Sequence, residues 1–409
     1  MATPQTYDVL ISGGGLIGQT LALALARHGL TSAIVDPADP ALAIAPDFDG
    51  RATAIASAAW AMFDAIGLAD RLRAGACPIR QIWVSDGLKP GELDFVPAED
   101  DGALGQMVEN RALRRALFDA VRAEPAISLC APAAVTGRRI DDHAAVLTLA
   151  DGRVLRAPLL LVAEGRRSPT RDALGFAVSQ WSYHHHAIIG AISHADAHDN
   201  IAYEIFYPAG PFALLPLADL ADGRHRSAFV WSVAADDGPG LMKLGDRGFT
   251  AELAQRMGGM LGDIAMIAPR QSYPLGYHRS AVITARRAAL VGDAAHGIHP
   301  IAGQGLNLGL RDVATLVEVL VEGARAGLDL GDAALLARYQ RWRGLDSLLV
   351  AAATDGLTRL FGVRGRLPSA VRRMGLGAVQ RMPALKSFFM NEARGETGDL
   401  PKLLTGELV

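Results

Sequence analysis

Apolar positions near the start of the chain follow first a strand spacing and then a helix spacing. Tyr7-Asp8-Val9-Leu10-Ile11-Ser12 is a short apolar run of the kind found in buried strands. Glycines crowd the next positions, from Gly13 to Gly18, and alanine and leucine then continue in a helical pattern through Ala26. A second apolar run, Thr31 to Val35, ends at Asp36. The pattern predicts a strand, a tight glycine turn, a helix and a second strand.

The spacing of apolar residues also divides the rest of the chain. Short apolar runs alternate with helical patterns in the first 75 residues and again after about residue 105, as in an α/β fold. A later stretch is strand-like and rich in turn signals, with apolar runs at Ala187 to Ile192, Ala202 to Phe206, Phe212 to Leu217 and Ser227 to Val233. We predict a discontinuous nucleotide-binding α/β domain (1–75, 105–175 and 273–345), an inserted, mainly β domain (76–104 and 176–272) and a C-terminal helical region (346–409).

Each glycine of the early turn has a separate physical role. Gly13 allows the sharp turn, Gly15 lets the backbone approach a pyrophosphate, and Gly18 lets the helix pack closely against the strand. The phosphates would lie at the helix N-terminus, where free N–H groups carry roughly half an elementary positive charge. The acid at Asp36 would accept hydrogen bonds from a ribose 2′-hydroxyl and would repel a 2′-phosphate. The expected nucleotide is therefore FAD or NAD and not NADP.

A second glycine-rich segment lies some 280 residues further along the chain and is expected to complete the same site. It contains Gly292-Asp293-Ala294-Ala295-His296, then Pro300, and then Gly303-Gln304-Gly305-Leu306-Asn307. It is not a second dinucleotide turn, because it follows His299 and Pro300 instead of a strand, and its third glycine is one position late. No separate NAD(P)H domain is therefore predicted.

Composition limits the classes of protein that this chain can belong to. At 409 residues it is too long for one ordinary core, and its mean hydropathy of +0.19 is high, yet no apolar run approaches the length of about 20 residues that spans a bilayer. The two cysteines, Cys77 and Cys130, are too few for a disulfide framework, which favours a reducing cytoplasm. The net charge of −3 excludes a generally basic nucleic-acid-binding protein.

A group of histidines raises the question of a metal site. Tyr183-His184-His185-His186 is followed by His194 and His198. On a strand adjacent side chains point to opposite faces, so at most His184 and His186 could share an ion, and no carboxylates complete the site. We predict no bound metal.

Three motifs, in this order and at this spacing, identify a family resemblance. They are the Gly13-x-Gly15-x-x-Gly18 turn, the middle run Ala163-Glu164-Gly165-Arg166-Arg167-Ser168, and the late segment from Gly292 to Asn307. The chain resembles the FAD-dependent aromatic hydroxylases, the class A flavoprotein monooxygenases, and among them the ring hydroxylases of ubiquinone biosynthesis. The resemblance implies a Rossmann-like FAD-binding domain of the p-hydroxybenzoate hydroxylase type, with the substrate held by the β domain. One departure is Glu164, because such families usually carry aspartate there.

The resemblance also implies roles for individual residues. Asp293 would bond the ribityl chain of FAD, and Arg51 would reach the pyrophosphate or the flavin edge. Gln106 and Arg111 would contact the ribityl or nucleotide portion, and Glu164 would orient the dinucleotide region. The helix that starts in the late motif would direct its amides at the flavin ring, since reduced flavin carries negative charge. The residues of this last group are Gly303, Gln304, Gly305, Leu306 and Asn307.

The chemistry implied by the resemblance is reduction of FAD by transiently bound NAD(P)H, followed by oxygen transfer from a flavin C4a-hydroperoxide to an electron-rich ring. A phenolic substrate would need a base or an oxyanion stabiliser facing the flavin. Candidates in the β domain are Tyr203, Tyr207 and His186, with Pro300 in the flavin loop. His296 either fixes that loop through hydrogen bonds or transfers a proton.

The C-terminal stretch from Arg359 to Met390 is basic and amphipathic. It contains seven basic residues and no acidic ones, interleaved with apolar residues. One interpretation is a solvated helical face that closes the flavin domain. The other is a surface for an anionic membrane or an acidic protein of a quinone-synthesis complex, which would place the enzyme peripherally at the inner membrane, where a polyprenylated phenol or quinone precursor resides.

Two other functions stay open at this point. A hydroxylase of a small soluble aromatic acid would use the same flavin machinery, but it should show a basic pair in the β domain. Arg224 and Arg226 are expected in a turn and not to point inward. A non-catalytic flavoprotein would lack substrate-dependent oxygen consumption.

Overall fold

The computed structural model describes residues 3–44, 48–88, 93–297, 304–344, 377 and 379–409. Over these residues the strands, in chain order, are β1 Gln5–Thr6, β2 Val9–Ser12, β3 Ser32–Val35, β4 Ala52–Ala56, β5 Cys77–Ile79, β6 Gln81–Asp86, β7 Leu93–Phe95, β8 Gly105–Glu109, β9 Ile127–Cys130, β10 Val135–Ile140, β11 Ala145–Leu149, β12 Val154–Ala157, β13 Leu159–Val162, β14 Val178–His194, β15 Ile201–Tyr207, β16 Gly210–Leu217, β17 His225–Ala234, β18 Ile264–Met266, β19 Gln271–Ser280, β20 Thr284–Ala285, β21 Ala288–Leu290 and β22 His296–Gly297. The helices are α1 Leu16–Ala26, α2 Pro40–Ala43, α3 Ser57–Ala65, α4 Asn110–Ala123, α5 Pro169–Ala173, α6 Gly238–Lys243, α7 Asp246–Met257, α8 Gln304–Arg325, α9 (333–344) and α10 Pro383–Arg394.

A six-stranded sheet forms the nucleotide-binding half of the molecule. Its order is β20-β21-β13-β2-β3-β9, and β21, β13, β2, β3 and β9 run parallel. Strands β2 and β13 are buried along their whole length, as expected of parallel strands covered on both faces. Helices α1 and α8 belong to the same hydrophobic core. The predicted strand, glycine turn, helix and strand at the start of the chain are confirmed.

A nine-stranded, mainly antiparallel sheet forms the other half. Its order is β22-β19-β14-β17-β16-β15-β6-β7, with β18 beside β14. The four predicted apolar runs all lie within β14, β15, β16 and β17, so these strands are confirmed. One face of the sheet is covered by α7, through Phe249, Leu253 and Met257. The other face packs against β5 and β8.

A three-stranded sheet, β4-β8-β5, lies between the two halves, and a four-stranded sheet, β1-β12-β11-β10, lies beside the nucleotide-binding half. The chain then returns to that half, because Leu403 and Leu404 are buried in its core. No helix in the described part of the chain is long and apolar enough to cross a membrane. The domain boundaries given above stay a prediction.

Candidate active site

The glycine turn after β2 leaves an opening in front of α1. A Cβ atom at Gly13, whose φ is +111°, would lie 2.4 Å from the carbonyl oxygen of Ala163. A Cβ at Gly18 would lie 1.9 Å from the carbonyl oxygen of Gly13, but one at Gly15 would meet nothing within 4 Å. Gly13 and Gly18 are therefore required for packing, whereas the space beside Gly15 is open to a ligand.

Helix α1 begins at this opening without a side-chain cap. Gly15 is the N-cap residue, and no side chain accepts a hydrogen bond from the first-turn amides. Uncapped amides at a helix N-terminus attract anions through their N–H groups and the helix dipole. The opening therefore fits the pyrophosphate of a dinucleotide.

Asp36, at the end of β3, supports the same turn. Its Oδ2 atom accepts a hydrogen bond from the backbone N of Gly14 at 2.6 Å, and its Oδ1 atom accepts one from Ala38 N at 2.8 Å. A carboxylate offers about four acceptor positions, so capacity for a ribose hydroxyl remains. The acid thus holds the turn in place and still has the chemistry predicted for it.

The late glycine-rich segment meets this turn through close packing around Ile17. A Cβ at Gly292 would lie 3.1 Å from Ile17 Cγ1, and a Cβ at Gly309 would lie 2.7 Å from Ile17 Cδ1. Ile17 lies in the first turn of α1 and Gly309 in the second turn of α8. The N-terminal turns of the two helices therefore come together, although they begin at residues 16 and 304 of the 409-residue chain.

The start of α8 is fixed by Asn307. Its Oδ1 atom accepts from Ala56 N at 2.9 Å, and its Nδ2 atom donates to Ala54 O at 2.9 Å. These bonds tie α8 to β4, while a Cβ at Gly305 would meet nothing within 4 Å. Pro300 and Gly303 lie outside the described residues, as does the side chain of Gln304.

Asp293 follows β21 in a turn that His278 braces. The Asp293 side chain is reached by solvent, yet desolvation by the surrounding protein raises the pKa of its carboxyl, as at the floor of an open cleft. His278 Nε2 donates to the backbone oxygen of Asp293 at 2.6 Å, and His278 Nδ1 accepts from Arg166 Nε at 3.1 Å. Burial lowers the pKa of His278 to about 4, so the ring is neutral at pH 7. No sequence motif pointed to this histidine.

A fully buried carboxylate, Asp312, binds residues on both sides of Asp293. Its Oδ2 atom accepts from Gly292 N at 2.8 Å and from His296 Nε2 at 2.7 Å. Its Oδ1 atom accepts from Arg343 Nε at 2.6 Å. Burial opposes the charge of Asp312, but His296 and Arg343 outweigh burial and lower its pKa. This geometry corresponds to the loop-fixing alternative for His296.

Arg51, Gln106 and Arg111 lie on the elements around β4 and β8. Arg51 Nε donates to Asp49 Oδ2 at 2.7 Å. Gln106 is partly buried on β8, and no described residue hydrogen-bonds its side chain. Arg111 Nε donates to Glu109 Oε2 at 2.6 Å. Gln106 is thus open to a ligand, whereas both arginines are already paired within the protein.

Glu164, the departure in the middle motif, clamps the end of β2 to the start of α5. Its carboxylate accepts from Ser12 Oγ at 2.5 Å, Ser168 Oγ at 2.7 Å, Thr170 Oγ1 at 2.5 Å and Thr170 N at 2.9 Å. Burial would raise the pKa of Glu164, but these bonds outweigh it and lower the pKa. The longer side chain is therefore accommodated by local donors.

The candidate bases lie on the face of the nine-stranded sheet that α7 covers. Tyr203 and Tyr207 pack with Ile188 and Phe212 on the face that α7 covers, and the Tyr207 hydroxyl donates to the backbone oxygen of Arg256. His186 alternates with Ala187 onto that same face, where its Nδ1 atom lies 3.1 Å from Ser272 Oγ. The face turned toward β4 and α8 is the opposite one. The structure therefore places these three side chains on the face that α7 covers, away from β4.

Two expectations about the β domain are also corrected. Arg226 is not in a turn but in β17, where it is 9% exposed and its Nη1 atom lies 2.7 Å from Glu109 Oε1. Arg224 is in the turn as expected and pairs with Asp222. His184 does not share a face with His186, because a bulge between Ser182 and His185 places it at a φ of +53°. Among the described residues no cluster of His, Cys, Asp and Glu could hold a metal ion.

A cavity of about 450 Å³ opens beside His278. Arg166 and Arg171 lie on one wall, and the stacked rings of Trp181 and Tyr277, with centroids 4.0 Å apart, form another. Since His278 bonds both Arg166 and the Asp293 turn, this cavity is coupled to the nucleotide opening by direct hydrogen bonds.

Comparison with known proteins identifies the family. A family model described as FAD binding domain matches residues 6–346. The chain is 44% identical to the ubiquinone hydroxylase UbiL of Rhodospirillum rubrum, over 98% of this chain and 92% of that protein. The chain belongs to the FAD-dependent aromatic hydroxylases. It is also 32% identical to the 3-demethoxyubiquinol 3-hydroxylase of Escherichia coli, over 96% of this chain and 100% of that protein.

The fold of these hydroxylases is confirmed by a solved structure. PqsL of P. aeruginosa superimposes with a TM-score of 0.75 at 23% identity, covering 92% of this chain and 100% of that one. The predicted fold class is therefore confirmed, as are FAD as the cofactor and NAD(P)H as the reductant of this monooxygenase. A non-catalytic flavoprotein is excluded. The contacts of individual residues with FAD stay predictions.

Proposed function

We propose that this monooxygenase hydroxylates the aromatic ring of a polyprenylated ubiquinone precursor. The observation that carries the proposal is the 44% identity, along nearly the whole of both chains, to a protein named ubiquinone hydroxylase. The name of the Escherichia coli relative specifies a quinol ring as well. An identity that extends over the β domain supports a related substrate as well as a related cofactor.

FAD would lie across the opening between α1 and α8. Its pyrophosphate would face Gly15, its adenosine ribose Asp36, and its ribityl chain Asp293. The remaining protein contacts would come from Arg51, Gln106, Arg111 and the α8 start, Gly303, Gln304, Gly305, Leu306 and Asn307. When bound, FAD would supply hydride acceptance from NAD(P)H and activation of O₂, and the protein would supply orientation, charge stabilisation and exclusion of water.

A small aromatic acid fits the β domain less well than a neutral phenol. Such a substrate needs a cation for its carboxylate, and among the described residues Arg226 is a buried cation on this side of the sheet. Its charge is already balanced by Glu109, with an Nη1 to Oε1 distance of 2.7 Å, and Glu109 is shared with Arg111. A substrate carboxylate would have to displace that pair.

Residues 359–390 would bring the enzyme to the anionic membrane surface where a polyprenylated substrate resides. Most of this segment lies outside the described residues, including Arg364, Arg366, Arg372 and Arg373. In its described part, Lys386 is bound to Asp94 at 3.2 Å and is not available to lipid. Met382 and Phe388 are 53% and 55% exposed and could insert their apolar side chains at a bilayer surface.

Quinone analysis in a deletion strain tests the substrate. Mass spectrometry should show a prenylated intermediate that lacks one ring hydroxyl, and the parent gene should remove it. Asp293→Ala should remove it less completely, because loss of the ribityl acceptor weakens the binding of FAD. A normal quinone profile in the deletion strain would overturn the proposal.

Sedimentation with anionic vesicles tests the docking segment. Each basic residue near an anionic surface contributes about 1 kcal/mol, so changing Arg364, Arg366, Arg372 and Arg373 to glutamine should release the protein. Added salt should weaken parental binding in the same way. The variant should keep its FAD. Equal sedimentation of both proteins would indicate that this segment is a solvated helical face. Binding to a protein partner instead would appear as a co-purifying protein that is lost when the four arginines are changed.

A further inference from the structure

Strand β15 places one carboxyl group on the sheet face that the sequence candidates do not occupy. Side chains alternate along a strand, so Ala202, Glu204 and Phe206 share one face while Tyr203 and Tyr207 share the other. The buried neighbours agree, since Ala202 and Phe206 pack with residues of β5 and β8. Glu204 therefore points to the side of the sheet where the nucleotide-binding half lies.

Glu204 lies in a row of side chains that are only partly buried. In register across the sheet it is paired with Val84 on β6 and Ala213 on β16, and the row continues through Val230 and Ile189. Val84, Val230 and Ile189 are each partly exposed although they are apolar. The adjacent row is buried against β5 and β8, as at Ala191, Ala202 and Ala228. The Glu204 row is thus less completely covered by the described side chains than the adjacent row.

The far end of this row contacts the FAD-binding loop. Ile189 is paired with Gln271, whose Nε2 atom donates to the backbone oxygen of Asp49 at 3.0 Å. Asp49 in turn binds Arg51, which is proposed to contact FAD. The partly exposed row that contains Glu204 therefore continues across the sheet to a residue that contacts the Arg51 loop.

No described residue hydrogen-bonds the Glu204 carboxyl, and burial alone raises its pKa to about 7. Charged groups on the elements packed against this face have partners of their own. Arg226 pairs with Glu109, Lys386 pairs with Asp94 and Arg51 pairs with Asp49, and Asp86 on β6 also has an interaction partner. Among the described residues the Glu204 carboxyl therefore has no hydrogen-bond partner, and its neighbours in register, Val84 and Ala213, are apolar.

We propose that Glu204 is a catalytic base that binds the ring hydroxyl of the phenolic substrate and takes its proton during hydroxylation. The O–H bond breaks, the proton moves to the Glu204 carboxylate, and the electron pair stays on the ring oxygen, where it enriches the ring for attack. One oxygen atom of O₂ enters the ring and the other leaves as water, with the two electrons supplied by NAD(P)H. The proposal rests on the proposed function, because it requires a phenol.

Glu204→Gln in the purified holoenzyme tests this base, with a phenol bearing a short ortho prenyl chain as the probe. The parent should hydroxylate the phenol but not its methyl ether, and its kcat/KM should rise with pH through about 7, because only the carboxylate accepts a proton. General-base removal typically costs about 10²–10⁴-fold, so the variant should lose at least about 100-fold in kcat together with the pH inflection. Its FAD content should stay parental.

Two matched variants complete the design. Glu204→Asp should restore part of the rate and the inflection. Tyr203→Phe, one position away on the opposite face, should behave like the parent. A deletion strain that carries the Glu204→Gln gene should accumulate the same intermediate as the deletion strain alone, although its Glu204→Gln protein contains FAD.

The outcomes separate the two proposals. Parental turnover and an unchanged pH profile in Glu204→Gln, with an active parent, would overturn the base and leave the proposed function standing. Both proposals would be overturned if the purified parent enzyme converted no phenol and the deletion strain had a normal quinone profile.

Discussion

Asp312→Ala should destabilise the enzyme more than any single exposed change, because Asp312 is 0% exposed and balances Arg343, which is 1% exposed. Removing one partner of a buried ion pair costs about 3–5 kcal/mol. A loss of 1 kcal/mol lowers Tm by about 2–4 °C in a domain of some 200 residues, so Tm should fall by about 6–20 °C. FAD affinity should fall as well, since Gly292 N and His296 lose their acceptor beside Asp293.

The cost comes from leaving a buried cation without its carboxylate, and a double variant isolates that term. Asp312→Ala combined with Arg343→Met removes both charges, and apolar replacement of a buried pair is often close to neutral. Differential scanning calorimetry of the apoproteins should therefore give the double variant a higher Tm than Asp312→Ala alone. Independent, additive losses in the two single variants would refute this account of the cluster.

Three further predictions follow from the site. Gly15→Val should give a colourless protein whose apoprotein Tm equals that of the parent, because the new side chain enters open space. Gly18→Val should lower the apoprotein Tm, because its side chain meets the backbone of Gly13. Absorbance at 450 nm and calorimetry distinguish the two variants. Asp293→Ala should weaken FAD about 5- to 150-fold, since a lost buried acceptor costs about 1–3 kcal/mol, and fluorescence titration measures it. The pKa of His278 is about 4 in the folded protein and 6.5 in the unfolded chain, so folding favours the neutral ring. His278 therefore contributes about 3 kcal/mol to the free energy of unfolding above pH 6.5, and this contribution is lost as pH falls toward 4. Between pH 6.5 and 4 the Tm should therefore fall less steeply with pH in His278→Gln than in the parent. Equal slopes of Tm against pH would contradict a lowered pKa for His278.

The nucleotide-binding half was predictable because its signals are local. The spacing of the early glycines can be recognised within six residues of sequence. In the structure Gly13, Gly15 and Gly18 each have a different steric environment. Strands of the β domain were also predictable from apolar runs and turn signals. Hydrogen bonds such as those of His278 and Asp312 join residues from separate elements, and no local pattern reports them.

The face of each strand could not be predicted in the same way. Alternation groups Tyr203 with Tyr207 and Glu204 with Phe206, but it does not say which group α7 will cover. A bulge with His184 in the left-handed region breaks the alternation in β14 as well. A lone carboxylate between Ala202 and Phe206 was the available signal for Glu204, because an unpaired acid in a buried strand is costly unless it has a function.

The contact of Ile17 with Gly292 and Gly309 also orders events during synthesis. The two helix starts that it joins lie about 290 residues apart, so at about 5–20 residues per second a ribosome needs about 15–60 s to deliver the second after the first. Strands β14 to β19 emerge within that interval and can pair before α8 exists. The cofactor opening can be completed only after α8 has been synthesised, so we expect FAD to bind after the strands of the β domain have been able to pair.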